Sequence, residues 1–270
     1  MEILGYLASV LIGISLGMVG SGGSILTVPV LVYLMSVNPL LATTSSLFIV
    51  GATSLIGGLR SYGKKLVNFK AVTEFGIPSI FSIFLTRHYL LPALPDHLFS
   101  IGKIQVHKPM FLMVIFALLM LVASVSMIRS SQREEWLSAE AESEHTYQAI
   151  PLLLLGLLIG VITGLLGAGG GFLIIPTLVI FLKLPMKTAV GTSLLIIAIN
   201  SLFGFLFSLK QFEYDWSLML SFTALSIAGL LIGSRLADRI PGSSLKKGFG
   251  WFILIMGIYI IVKEIFLEHI

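Results

Sequence analysis

A glycine-rich break inside an apolar run occurs twice in this chain, and this duplication limits what the chain can fold into. Residues 13–29 read GISLGMVGSGGSILTVP, and residues 160–176 read GVITGLLGAGGGFLIIP. The offset between the two copies is 160 − 13 = 147 residues, and the closing prolines, Pro29 and Pro176, have the same offset. A fixed offset of this kind indicates an internal duplication.

The duplication extends well beyond the breaks. Residues of the segment that follows the first break recur 147 positions later, among them Ala42, Ser46, Leu47, Ser54, Leu55, Gly57 and Ser61, which match Ala189, Ser193, Leu194, Ser201, Leu202, Gly204 and Ser208. We therefore divide the chain into an N-terminal repeat (1–129), an acidic linker (130–148) and a C-terminal repeat (149–270). Each repeat contains a glycine-broken helix pair followed by three long helices.

The composition places these helices in lipid. Only 11% of the residues are charged and 56% are hydrophobic, with a mean hydropathy of +1.02, whereas soluble domains have about 25% charged residues. Apolar runs of membrane-spanning length recur along the chain, so the predicted fold class is an all-α polytopic membrane protein. The chain has no cysteine, which excludes disulfides and thiolate metal sites.

Hydrophobic runs and turn signals predict the element boundaries. The predicted helical segments are 3–20, 25–35, 40–59, 69–85 and 110–128 in the first repeat, and 150–167, 172–182, 187–209, 216–234 and 249–266 in the second. Residues 87–109 are predicted to form a polar loop because they contain Asp96, three histidines and two lysines. The linker is predicted to be a flexible acidic loop.

The distribution of basic residues favours halves of opposite orientation in the membrane. If each break reverses the chain, 12 of the 17 Lys and Arg residues fall on one face and 5 on the other. If each break sits within a single span, the split is 8 to 9 and carries no orientation signal. We therefore predict inverted repeats, with the linker cytoplasmic and both termini outside.

Clustered glycines suggest where a solute binds. Unwound backbone in a membrane leaves N–H and C=O groups that protein, water or substrate must satisfy. A new helix begins after each break, and its free N–H groups attract anions. The predicted anion site needs no buried arginine and consists of Gly20, Ser21, Gly22, Gly23, Ser24, Thr44, Ser45, Ser46, Gly167, Gly169, Gly170, Gly171, Thr192, Ser193 and Asn200.

Other candidate residues have simpler interpretations. Small-xxx-small spacing predicts that four glycines serve close helix packing, namely Gly13, Gly17, Gly160 and Gly164. Glu74 is a candidate proton-coupling carboxylate, but its place near a helix end favours a residue at the membrane edge. The three histidines His88, His97 and His107 lack metal-ligand spacing and are predicted to be solvated. No catalytic residue, metal or cofactor is predicted.

The duplicated G-x3-G-x2-G-x-G-G-x5-P signature, with the A-x3-S-L helix that follows it, resembles the TauE/SafE sulfite exporter family, also called the toluene sulfonate uptake permeases. The resemblance covers nearly the whole chain, including 233–261 near its C-terminus. It implies a prokaryotic inner-membrane transporter of sulfite, sulfonates or related small anions.

The resemblance and the residue chemistry together predict a secondary transporter that works by alternating access. An anion channel with the same site is the alternative. An enzyme or a scaffold is disfavoured, because no nucleophile–base pair stands out. The expected partners are a small anionic solute and the lipid bilayer, with a homo-oligomer possible and no nucleic acid, because the basic residues lie in short loops.

Overall fold

The computed structural model describes residues 2–20, 23–101, 104–130, 149–237 and 242–264. The first half contains α1 (Glu2–Val19), α2 (Ser24–Tyr33), α3 (Pro39–Gly63), α4 (Phe69–Leu85), a π-helical turn (Thr86–Leu90), α5 (Leu91–Ala93), β1 (His97–Ile101), β2 (Ile104–His107) and α6 (Lys108–Ser130). The second half contains α7 (Ala149–Leu166), α8 (Gly171–Phe181), α9 (Met186–Ser208), α10 (Trp216–Leu236) and α11 (Gly242–Val262).

Within these ranges the chain is a helical membrane protein, as predicted. Five described stretches are long and apolar enough to cross a bilayer, namely Pro39–Gly63, Phe69–Ala93, Lys108–Val125, Met186–Ser208 and Trp216–Leu236. Large apolar side chains such as Ile77, Leu154 and Ile255 are about two-thirds exposed, at 66%, 60% and 62%. In a protein with so few charges, such faces fit contact with lipid.

Equivalent residues start equivalent helices in the two halves. The Asn68 side chain caps α4 by accepting a hydrogen bond from the Ala71 N–H at 3.0 Å. The Asp215 side chain caps α10 by accepting one from the Leu218 N–H at 3.0 Å. Asn68 and Asp215 are 147 residues apart, so the duplication preserves the signal that begins this helix.

The first break reverses the direction of the chain. A Cβ atom added to Gly23, after the break, would overlap the Ile12 carbonyl oxygen of α1. A Cβ added to Gly5, near the start of α1, would overlap the Met35 side chain just beyond the end of α2. Residues before and after the break therefore meet in reverse order, so α2 runs back along α1.

The two long helices that follow the breaks, α3 and α9, run antiparallel. Gly51 packs against Leu202, whereas Gly58, further along α3, packs against Leu195, which comes earlier in α9. These helices occupy equivalent places in the two repeats. Their close approach depends on the glycines, since the added Cβ atoms would lie within about 3 Å of the facing residue.

The halves also exchange contacts reciprocally: α1 packs on α10, and its counterpart α7 packs on α4. A Cβ on Gly13 would overlap the Ser226 carbonyl oxygen, and one on Gly160 would come within 2.5 Å of the Ser79 carbonyl oxygen. Ser79 and Ser226 are again 147 residues apart. This confirms the predicted packing role of Gly13 and Gly160, and Gly17 and Gly164 pack in the same way.

The prediction of a polar loop over 87–109 is wrong, because its first residues are helical and two strands follow them. The helix does not end at Leu85 but continues through the π-helical turn to Ala93. Beyond it, β1 and β2 form an antiparallel hairpin with His97 opposite His107. The three histidines are exposed as predicted, and the linker beyond Ser130 lies outside the described residues.

Candidate functional site

The buried arginine at position 87 is the main feature that the sequence prediction missed. Arg87 lies in the π-helical turn and has no exposed surface. Its Nη1 atom donates a hydrogen bond to Thr44 Oγ1 on α3 at 2.8 Å. Its Nε and Nη2 atoms are buried without a hydrogen-bond partner. The guanidinium therefore keeps one edge with two adjacent donors available.

Local sequence accounts for the wide turn that presents Arg87. Pro92 follows the turn, and a proline has no N–H to donate to the carbonyl four residues earlier, at His88. A π-helical turn inside an α-helix commonly marks a functional position. Arg87 also extends the buried side of α4, on which Ser79, Ser82 and Ile83 lie.

The second break packs against the start of α3, next to Thr44. The Ser46 hydroxyl donates to the Gly167 carbonyl oxygen and also to the Thr43 carbonyl oxygen, the latter at 3.0 Å. Gly167 has φ +69°, and a Cβ there would overlap the Thr43 carbonyl oxygen. Glycine at Gly167 is therefore required both by its backbone conformation and by this contact.

Deeper along the same interface, the break reaches α9. A Cβ on Gly169 would lie 3.0 Å from Val50 on α3 and 3.1 Å from Ser201 Oγ on α9. The Ser201 hydroxyl and both polar atoms of the neighbouring Asn200 amide are buried without a hydrogen-bond partner. Ser54, which matches Ser201 in the repeat, has an unpartnered buried hydroxyl as well. Unsatisfied polar groups thus line the contact between α3 and α9.

The segment between α9 and α10 covers Arg87 from the other side. Gln211 Nε2 donates to the Arg87 carbonyl oxygen at 3.5 Å, and the Tyr214 hydroxyl donates to the Ser208 carbonyl oxygen at 2.8 Å. Burial raises the pKa of Tyr214, and the nearby positive charge of Arg87 partly opposes that rise. The Ser208 hydroxyl is buried without a partner.

The first break has a different environment. Gly20 has φ +80° and packs against Val190 near the start of α9, while Ser21 and Gly22 lie outside the described residues. The Thr192 hydroxyl accepts a hydrogen bond from the Asn68 N–H at 2.9 Å, and the Ser193 hydroxyl donates to its own helix at 2.8 Å. These two hydroxyls are therefore already engaged within the protein.

The structure separates the predicted hydroxyl groups instead of gathering them at one point. Gly191, beside Thr192, packs against Ser61, which is 61 − 44 = 17 residues along α3 from Thr44, or about 25 Å at 1.5 Å per residue. Thr44, Ser45 and Ser46 accompany the second break, whereas Thr192 and Ser193 accompany the first. The buried α2 and α8 nevertheless contact each other.

At the second break the structure thus adds a buried arginine that the predicted anion site did not include. Its guanidinium has two unpartnered donors and is hydrogen-bonded to Thr44 on α3, whose neighbours Thr43 and Ser46 contact the glycine backbone of the break. Such a set suits an anion with at least two oxygen atoms, because a guanidinium edge binds two oxygens through parallel hydrogen bonds. If the predicted helix 69–85 had been extended to Pro92, helical periodicity would have placed Arg87 on the buried side of that helix.

Comparison with known proteins gives a consistent result over almost the whole chain. The family model described as sulfite exporter TauE/SafE matches residues 5–260. A probable membrane transporter protein of Xylella fastidiosa (strain 9a5c) is 29% identical over 94% of this chain and 92% of its own length. The probable membrane transporter protein YunE of Bacillus subtilis is 25% identical over 97% of this chain and 100% of its own length.

The same description recurs in an archaeon. A probable membrane transporter protein of Methanocaldococcus jannaschii is 25% identical over 94% of both chains. No solved structure matches this chain. The family match covers both repeats and both glycine breaks, and the chain therefore belongs to the TauE/SafE sulfite exporter family, whose relatives here are named as membrane transporters.

Proposed function

We propose that this protein is a secondary transporter, an exporter or permease, that carries small sulfur-containing or organic anions across the inner membrane and holds them at Arg87. The observation that carries the proposal is the buried guanidinium with two unpartnered donors. Among the described residues, Lys70 and Glu74 form an ion pair, but no described carboxylate forms one with Arg87. A buried charge without a counter-ion is costly, and a bound anion would supply that counter-ion.

The chemistry around Arg87 favours an oxyanion. Sulfite, sulfonates and carboxylates each present at least two oxygens that can accept from Nε and Nη2 together, whereas a halide presents one atom. The Thr44 hydroxyl accepts from Nη1 at 2.8 Å and donates to the Leu40 carbonyl oxygen at 3.4 Å, so it orients the guanidinium. The family to which the chain belongs is described as sulfite exporters, and this supports the substrate class.

Residues around the second break would make the other contacts with the anion. Its backbone would approach the anion through Gly167, Gly169, Gly170 and Gly171, and its polar side chains through Thr44, Ser45, Ser46 and Asn200. Gly170 has φ +66° and precedes α8, so the first N–H groups of that helix face the break. The equivalent site at the first break would be formed by Gly20, Ser21, Gly22, Gly23, Ser24, Thr192 and Ser193.

Inverted repeats would allow the two halves to exchange roles during transport. Three observations support this arrangement: α3 and α9 run antiparallel, α2 folds back along α1, and the halves exchange equivalent contacts. Together with the bias of basic residues, they support a cytoplasmic linker and external termini. A reporter fused at position 138 should then be cytoplasmic, and an external reporter would contradict this orientation.

A binding panel on the purified protein tests the function directly. Thermal unfolding is measured with sulfite, sulfate, thiosulfate, taurine, sulfoacetate and simple carboxylates, and at least one oxyanion should raise the melting temperature. In proteoliposomes, saturable uptake with counterflow identifies a carrier, while uptake that does not saturate and shows no counterflow identifies a channel. If none of these anions stabilises the protein, the proposed anion site is wrong.

A further inference from the structure

Another buried ionisable group lies at the end of α11. Glu264 follows that helix and is only 3% exposed. The Tyr33 hydroxyl, on α2, donates a hydrogen bond to Glu264 Oε1 at 2.7 Å. Buried ionisable residues in membrane proteins are rare and are commonly functional.

The groups around this carboxylate can respond to its charge. Lys263 Nζ lies 4.3 Å from the centre of the Tyr33 ring, and the Tyr259 ring meets that ring edge-on at 5.8 Å. On the neighbouring helix α6, Lys108 is also buried, and its Nζ donates to the Leu94 carbonyl oxygen at 3.3 Å. Removing one negative charge here would alter the hydrogen bond that holds Tyr33.

Tyr33 links this carboxylate to the transport machinery. It is the last residue of α2, the short helix that begins at the first break, and α2 contacts α8, which begins at the second. A hydrogen bond to an ionised carboxylate is roughly twice as strong as one between neutral groups. Protonation of Glu264 would therefore loosen the end of α2, whereas ionisation would hold it.

We propose that Glu264 is a proton-binding site that couples proton movement to anion transport through Tyr33 and α2. This inference rests on the proposed function as an anion carrier, and it adds the proton as a second substrate. Proton binding requires only the transfer of a proton between water and the carboxylate oxygen. Glu74, the carboxylate considered from the sequence, is a less suitable site because it pairs with Lys70 at 3.8 Å and is partly exposed.

The first experiment uses Glu264→Gln, which mimics the protonated side chain, with Glu74→Gln as the matched control. Proteoliposomes are loaded with a pH-sensitive dye and exposed to methanesulfonate or sulfoacetate. Wild type and Glu74→Gln should change the internal pH with the anion, and one pH unit should drive up to about tenfold accumulation per coupled proton. Glu264→Gln should keep counterflow and lose both the pH change and the accumulation.

The sign of the pH change separates symport from antiport, and either sign supports the proposal if Glu264→Gln abolishes it. Anion transport by wild type without a pH change would overturn proton coupling and leave the anion carrier intact. So would a Glu264→Gln variant that still accumulates the anion in response to a pH gradient. Tyr33→Phe keeps the carboxylate and removes its donor, so it should weaken coupling while proton binding persists.

The second experiment needs no transported anion, so it separates this inference from the proposed function. Infrared difference spectra of the purified protein are recorded between acidic and alkaline pH. Wild type and Glu74→Gln should show a protonated-carboxyl band that titrates and that is missing from Glu264→Gln. If the spectra of wild type and Glu264→Gln are identical in this region, Glu264 does not bind a proton and the inference is wrong.

Discussion

Replacement of Arg87 by methionine tests the proposed anion site most directly, because binding and stability should change in opposite directions. Methionine keeps much of the apolar stem and removes the guanidinium. Two hydrogen bonds from a charged donor contribute about 1.5–3 kcal/mol each. Losing both should cost the anion about 3 kcal/mol or more, which is a roughly 100-fold weaker affinity. Without the anion, removal of two buried unpartnered donors should leave stability unchanged or increase it.

Thermal unfolding with and without the stabilising anion measures both effects. At an anion concentration of 100 times the wild-type Kd, binding stabilises wild type by about 2.7 kcal/mol, and a 100-fold weaker site would retain only about 0.4 kcal/mol. Arg235→Met is the matched control, because Arg235 is exposed on α10, and it should keep the full anion-dependent shift. Uptake into proteoliposomes should fall in parallel for Arg87→Met alone.

Two results would refute the reasoning. If Arg87→Met keeps the anion-dependent shift, the anion binds elsewhere and the two unpartnered donors have another role. If Arg87→Met lowers the stability of the anion-free protein by several kcal/mol, the guanidinium has structural partners that compensate its charge, such as the bond to Thr44. Arg87→Lys adds a further comparison, since it keeps the charge but loses the paired donors.

Three further variants probe the surroundings of the site. Gly167→Ala should destabilise the protein by roughly 1–3 kcal/mol and reduce transport, because φ is +69° and the added Cβ would overlap Thr43; Gly76→Ala, where no atom lies within 4 Å of the added Cβ, should not. Asn200→Leu should raise the melting temperature and impair transport, because it removes an unsatisfied buried amide worth about 1–3 kcal/mol. Burial raises the pKa of Tyr214 in the folded protein. The stability that this shift contributes is complete below the pKa of Tyr214 in the unfolded chain, and it is lost as the pH rises through the pKa in the folded protein. Tyr214→Phe should therefore flatten the alkaline part of the stability–pH profile in unfolding experiments.

Hydrophobic runs and turn signals located the long helices that the structure describes, and the repeat offset related those of the two halves. The start of α4 at Phe69 was predicted correctly, but the helical course continues past Leu85 to Ala93. The repeat could not predict the strand pair β1 and β2, because the described residues of the second half contain no strand. A charged residue at the end of an apolar run also reads as the start of a loop, which is why α4 seemed to end before Arg87.

The site was harder to predict than the fold, because pairing of equivalent residues suggested a single symmetric cluster. Thr44 and Gly191 match by offset, yet the antiparallel α3 and α9 carry them to opposite ends of their interface. In such an antiparallel pair, equivalent sequence positions can meet only near the centre. Symmetry in the sequence therefore predicts two related regions, and only three-dimensional contacts reveal which one contains the buried charge.

The arginines near the two ends of the α3–α9 pair do not follow the repeat. The repeat position of Arg87 is Ser234, and the hydroxyl of Ser234 accepts a hydrogen bond from Arg60 Nη1 at 2.6 Å. A guanidinium thus lies at both ends of the α3–α9 pair, but it comes from the extension of α4 at one end and from α3 at the other. Arg87 is fully buried, whereas Arg60 is only partly buried. A carrier that alternates between two related conformations would show this difference in burial in any one of them. The conformation seen here would then be the one that is accessible at the Arg60 end.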